Sequence, residues 1–190
     1  IARLIQFAKA DEQPALAITD TNNLFGALEF SEKLVKEGIQ PIVGSHLMID
    51  FGDAPALGSR ADDTRAGRAS IVLLAASREG YANLMDLTSA AWLDPHAGDL
   101  PHVPLERLRA RSAGLIALSG GPSGPADLAF AAGRPEVAEK RLDTLAEIFP
   151  GHFYIELQRH HQPGQDNPNG AVERHLIGHA YRAGLPLVAT

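Results

Sequence analysis

No cysteine occurs in this chain. Disulfides and thiolate metal sites are therefore excluded, and any bound metal must use His, Asp or Glu. No apolar run approaches the ~20 residues that a membrane span needs, and no signal-peptide pattern is present. A membrane is thus not an expected partner, and the cytoplasm is the default location. Basic residues are in deficit, with 17 Lys and Arg against 23 Asp and Glu and a net charge of −6. That balance argues against a free-standing nucleic-acid binder, whose affinity comes mainly from neutralising phosphates. It leaves room for DNA contacts made by other domains of a longer polypeptide. Three motifs are also missing: a Gly-x-Gly-x-x-Gly turn after the first strand, the Gly-Lys-Ser/Thr end of a Walker A loop, and a His-Glu-x-x-His helix.

What is there is organised around residues 14–44. Ala15, Leu16, Ala17 and Ile18 form a short apolar run, read as a strand buried on both faces. Thr19, Asp20, Thr21, Asn22 and Asn23 end it and can cap a following helix. Leu24, Leu28, Leu34 and Val35, with Phe25, predict the buried stripe of that helix. Gly38 supplies its stop, and a second strand follows over about 41–50. The result is one strand–helix–strand unit of crossover size, with Asp20 where the strand gives way to the helix.

The remaining chain repeats the alternation. Residues 1–10 carry a helical stripe of Ile1, Leu4, Ile5 and Ala8. The second strand is apolar on both sides, which predicts cover on both faces. Residues 51–68 read as an exposed, mobile loop and 71–75 as a third strand. Ser77 caps a helix whose predicted stripe is Tyr81, Leu84, Met85, Thr88 and Trp92. A short helix opens at Pro104, and a fourth strand covers 114–118. Helices are predicted at 125–132 and 135–149, a fifth strand at 153–157, a helix ending near Gly184, and a sixth strand at 186–190. There is no internal repeat and no linker, so residues 1–190 read as one domain. Strands alternating with helices imply a parallel sheet, either open and doubly wound or closed into a barrel.

Polar residues fall at several strand exits. Asp20 reads as a cap or turn residue, or as a metal ligand or general base. His46 reads as a half-buried histidine or a ligand. His160 and His161 are adjacent, so at most one faces a shared site. The loop from Ser119 to Gly124 reads as a turn, with phosphate binding as its sharper alternative. In a barrel, Asp20, His46, this loop and His160 would converge on one rim. His175 and His179 are four apart on a helix and read as a solvated face. His96, His102 and His152 are scattered.

The stretch LAITDTNNLFGALEFSEKLVKEGIQPIVG resembles the PHP (polymerase and histidinol phosphatase) domain of bacterial replicative DNA polymerase III alpha subunits. GLIALSGG (114–121), FPGHFYIELQRH (149–160) and GLPLVAT (184–190) continue the likeness. The wording around GALEFSEK is similar to alphaproteobacterial members. The resemblance implies a distorted (β/α)7 TIM-like barrel whose first strand, with a His-x-His motif, precedes Ile1. It implies that palm, fingers and a further Asp-x-His motif follow Thr190, so that residues 1–190 are a partial PHP domain of a longer polymerase.

Metal-binding members of the family carry a rim of His, Asp and Glu around two or three ions. Their Thr-Asp-His-Gly-Asn turn is here Thr19-Asp20-Thr21-Asn22-Asn23. Their Gly-Cys-Glu is Gly44-Ser45-His46. Their Ser-Gly-Cys ends here in Gly121, and their Gln-Asp-His is Gln158-Arg159-His160. Asp20, His46 and His160 are the metal candidates that remain, and Arg159 brings a positive charge beside them. The resemblance thus implies a degraded metal site. It holds no catalytic or cofactor-binding residue and at most residual Zn or Mn, while the Mg of polymerase chemistry sits in domains outside. The implied partners are the proofreading exonuclease subunit, the rest of the polymerase chain and, through other domains, DNA. The implied enzyme is a DNA-directed DNA polymerase. A metal-dependent phosphoesterase or pyrophosphatase using Asp20, His46 and His160 is the alternative.

Overall fold

A computed structural model describes residues 1–53, 67–95, 99–159 and 170–190. Seven strands form one sheet. They are β1 (Ala15–Thr21), β2 (Gln40–Asp50), β3 (Arg68–Ala75), β4 (Val103–Pro104), β5 (Leu115–Leu118), β6 (Phe153–Leu157) and β7 (Leu187–Ala189). Its order is β1-β2-β3-β5-β6-β7, with β4 paired to β2. The helices are α1 (Ala2–Ala10), α2 (Ala27–Lys36), α3 (Arg78–Leu93), α4 (Leu105–Ala110), α5 (Pro125–Ala131), α6 (Pro135–Ile148) and α7 (Gly170–Ala183).

The expectation of a wholly parallel sheet is corrected. β3 runs antiparallel to both β2 and β5, while the other pairings are parallel. The cause is local. Asp50 pairs with Arg68, and Phe51 donates its N–H to the Gly67 carbonyl, so β2 and β3 meet as a hairpin. A parallel return would need a crossover that carries the chain back along the sheet, whereas Asp50 and Arg68 lie side by side. Of the predicted loop at 51–68, residues 54–66 lie outside the described residues.

Register and alternation decide between the two sheet types. Ser45, Leu47 and Ile49 of β2 share a face with Ala69, Ile71 and Leu73 of β3, Ala117 of β5 and Phe153 of β6. That face packs on Leu84, Leu87, Leu108, Leu142, Leu145 and Leu176 from α3, α4, α6 and α7. Leu16 and Ile18 of β1 continue it against Phe30 and Leu34 of α2 and Ile5 and Ala8 of α1. Helices therefore cover one face only among the described residues. The sheet curls into part of a barrel, not a doubly wound sandwich.

Three predicted stripes need correction. In α2 the buried residues are Ala27, Phe30 and Leu34, while Leu28 and Val35 are exposed. The large ring of Phe30 sets the phase. In α3 they include Gly80, Leu84, Leu87, Thr88 and Ala91, leaving Tyr81, Met85 and Trp92 on the outer side. In α1 they are Ile5 and Ala8, with Leu4 outside. Cover on both faces also fails. β1 is an edge strand with no buried residue, and the second face of β2 leaves His46 and Met48 half-buried. The helix-end signals hold. Ser77 accepts the Gly80 N–H at 3.0 Å, Pro104 precedes α4, and Gly38 stops α2 at φ +74°.

Candidate functional site: the rim at the strand exits

β1 ends on Thr21, and the chain then turns through Asn22 at φ +53°. Asn tolerates this left-handed conformation better than most residues. Its N–H donates to the His46 carbonyl at 2.7 Å, and its side-chain oxygen accepts the Met48 N–H at 3.0 Å. Asn22 thus extends the β1–β2 ladder after the strand stops. Trp92, at the end of α3, donates its indole N–H to the Asn22 carbonyl at 2.7 Å.

Asp20 pairs with Ser45, and Thr21 with His46. Paired side chains share a face and neighbours alternate, so Asp20 and His46 lie on opposite faces of the sheet. Asp20 sits on the helix side. Its Oδ2 accepts the Gly26 N–H at 3.2 Å, ahead of α2, and its carbonyl accepts the Ser45 hydroxyl at 2.8 Å. Asp20 and His46 therefore do not converge. His160, the third metal candidate, lies outside the described residues, as do His161 and His96.

Across the rim, β5 leads into Ser119 and Gly120, and β6 carries Glu156. Sequence reading passed over Glu156, although an acid inside the apolar run FYIEL is a burial signal. It is 3% exposed. Its Oε2 accepts the Gly120 N–H at 3.1 Å, and its Oε1 accepts Gln158 at 2.8 Å and Thr190 at 2.6 Å. The buried Ser119 hydroxyl accepts the Glu156 N–H at 2.9 Å. One carboxylate thus ties β5, β6 and β7 at their exits. The loop from Ser119 to Gly124 is built as a tight turn behind that carboxylate. It contains a 3-10 turn over Gly121–Ser123, and the Gly120 N–H, one of the backbone donors of the loop, is spent on Glu156.

Beside it stands Asp127 of α5, also missed. It is 8% exposed, and its Oδ2 has no hydrogen-bond partner. Burial, chiefly, and the nearby Glu156 charge push its carboxyl up to about 7. A cavity of about 10 Å³ lies here, bordered by Gly121, Asp127, Glu156, Gln158 and Glu173. Arg159 forks onto Glu173 with its Nε 3.1 Å from both carboxylate oxygens. The guanidinium predicted to intrude on cations is thus paired at its own strand exit.

His175 and His179 are not a solvated face. They turn toward α6, where the His179 Nε2 lies 3.1 Å from Asp143 and the His175 Nε2 lies 3.6 Å from Glu139. The His175 ring packs on Phe130 at 4.6 Å, and burial, chiefly, lowers its pKa below the usual histidine value.

The described residues do not fit a multinuclear metal centre. No three His, Asp or Glu among them converge on a point. At Gly121, where a ligating side chain would begin, an added Cβ would lie 2.6–2.9 Å from the Gln158 amide. The amide fills that space.

The sequence profile described as PHP domain matches residues 1–160. The chain is 39% identical over 186 residues to the DNA polymerase III subunit alpha of Caulobacter vibrioides, covering 97% of this chain and 15% of that protein. It is 37% identical over 184 residues to the Thermus aquaticus subunit, covering 94% and 14%. It is 37% identical over 202 residues to an error-prone DNA polymerase of Symbiobacterium thermophilum, covering 98% and 17%. The chain therefore spans only a small part of these relatives. Among solved structures, an amidohydrolase from Chromobacterium violaceum with bound sulfate and no metal aligns at TM-score 0.54 and 16% identity, covering 97% of this chain and 78% of that one. A Bifidobacterium adolescentis protein assigned as a metal-dependent phosphoesterase aligns at 0.51 and 14%, covering 98% and 79%. At these identities the two structures speak for the fold alone.

Proposed function

Because this chain belongs to the PHP domain family, we propose that it serves as the PHP domain of a DNA polymerase III alpha subunit and works there as a scaffold. In this reading residues 1–190 are a partial PHP domain that supports the polymerase core and docks the proofreading exonuclease subunit. DNA-directed polymerisation, with its Mg ions, belongs to other domains of the same polypeptide, in the cytoplasm. Relatives at 37–39% identity over nearly the whole chain support the assignment to that subunit.

The observation that carries the scaffold role is the Gln158 amide standing where a ligand on Gly121 would stand. Asp20, engaged by Gly26, and His46, on the other face, agree with it. Together with His160 they are the remnant of an ancestral cation pocket, able to retain at most a residual Zn or Mn. The test is a full-length alpha subunit lacking these residues. Loss of exonuclease binding and a lower polymerase melting temperature are expected. Unchanged values for both would defeat the reading, as would two or more tightly held Zn or Mn ions per chain by elemental analysis. In that event a phosphoesterase assay with His160→Ala as control takes over.

A further inference from the structure

α3 is apolar on two sides. Leu84, Leu87 and Ala91 face the core, yet Tyr81, Met85 and Trp92 stand on the outer side. A helix whose far side met only solvent would carry polar residues there. Met85 and Trp92 line a groove of about 330 Å³, walled on its other side by Leu24 and Phe25 from the turn between β1 and α2. Phe25 is 89% exposed and Trp92 61%. The Trp92 ring is already held by its bond to the Asn22 carbonyl, so docking against it orders no further side chain there. None of the described residues lining the groove is charged. Their polar side chains are engaged within the fold. The Asn22 oxygen accepts the Met48 N–H, Asn23 bridges the Thr21 carbonyl and the Phe25 N–H, and the Thr88 hydroxyl donates to the Leu84 carbonyl. Little is left to orient a nucleotide, a sugar or an ion. What remains is surface like the centre of a protein interface, rich in aromatic rings and methionine and poor in charge.

We propose that this groove docks apolar side chains from a further segment of the same polypeptide. The proposal rests on the scaffold reading above and gives that scaffold its contact surface. Two observations favour this occupant over a separate protein. The chain covers only 15% of the Caulobacter vibrioides subunit, so most of such a polypeptide lies elsewhere. β7 runs in the same direction as β1, so its exit opens at the groove's end of the sheet. A tethered segment meets the groove at the high effective concentration that linkage gives, and a modest apolar contact then suffices.

The test uses a full-length alpha subunit with a photoreactive benzophenone amino acid in place of Phe25. After irradiation, mass spectrometry identifies the captured peptide. The expected result is a cross-link within one polypeptide to a peptide outside residues 1–190. Met85→Lys and, separately, Ser89→Lys place a charge in the groove at exposed positions and should abolish it. Circular dichroism shows whether each variant is folded, and either folded variant decides. No cross-link overturns the proposal. So does one confined to residues 1–190, one to a second copy or to added exonuclease subunit, or one that survives the lysine. The deletion described above separates this outcome from failure of the scaffold reading. A lowered polymerase melting temperature on deletion, with no such cross-link, leaves the scaffold standing on another surface. Unchanged melting and exonuclease binding on deletion defeat the scaffold itself.

Discussion

The indole of Trp92 donates to the carbonyl of Asn22, seventy positions earlier in the chain, at 2.7 Å. The bond pins the end of α3 to the turn that closes β1. Trp92→Phe keeps the ring surface and removes the donor, which should cost about 1–2 kcal/mol. Asn22→Ala should cost about 1 kcal/mol more than Asn22→Gly, because φ is +53° and only glycine adopts it freely. Urea unfolding of the three variants checks both figures.

Gly80 abuts the backbone of Gly114. A Cβ at Gly80 would stand 1.8 Å from the Gly114 carbonyl oxygen, in a position where neither chain can yield. Gly80→Ala should destabilise the fold by about 3 kcal/mol, the upper range for overpacking. Gly178 in α7 is the contrast. An added Cβ there meets only the flexible end of Arg182 at 3.3 Å. Gly178→Ala should gain up to about 1 kcal/mol from helix propensity, and thermal melts should separate the two cleanly.

Asp127 gives a pH dependence with a definite sign. Its folded pKa of about 7 stands above the unfolded value of 3.8, so the folded protein binds more protons between them. The stability it contributes is complete below about pH 4 and is lost as pH rises through 7. His175 acts in the opposite sense. Its lowered pKa contributes stability above the unfolded value of 6.5 that is lost as pH falls through the folded one. The readout is therefore the difference between wild type and Asp127→Asn in chelator. Relative to the variant, wild type should lose stability from pH 5 to pH 8. A constant difference across that range would contradict the assignment.

Much of the fold was legible because local signals and tertiary structure agree. Gly38, Ser77, Pro104, Pro125 and Pro135 mark helix ends, and the apolar runs mark strands. Helix phase was harder to read. Phe30 competes with Leu28, and Leu87 with Met85, and only the position of the sheet decides which side is buried. Strand direction was hidden because antiparallel β3 carries the same apolar run as a parallel strand. At the rim, the motif positions Asp20 and His46 could be found by likeness to relatives. Their placement on opposite faces follows from a register that no linear pattern states. Glu156 and Asp127 were overlooked because single acids carry no spacing. Glu156 is held by Gly120, Ser119 and Thr190, which are distant from it in sequence.

The reversed direction of β3 fixes where this domain can grow. Its start, at Arg68, lies beside Asp50 at the same end as Asn22 and Gly120, and its finish, at Ala75, lies at the opposite end. Extra residues inserted between β2 and β3 would add backbone over the rim. The same insertion one connection later, ahead of Ser77, would add it to the underside and leave the rim bare.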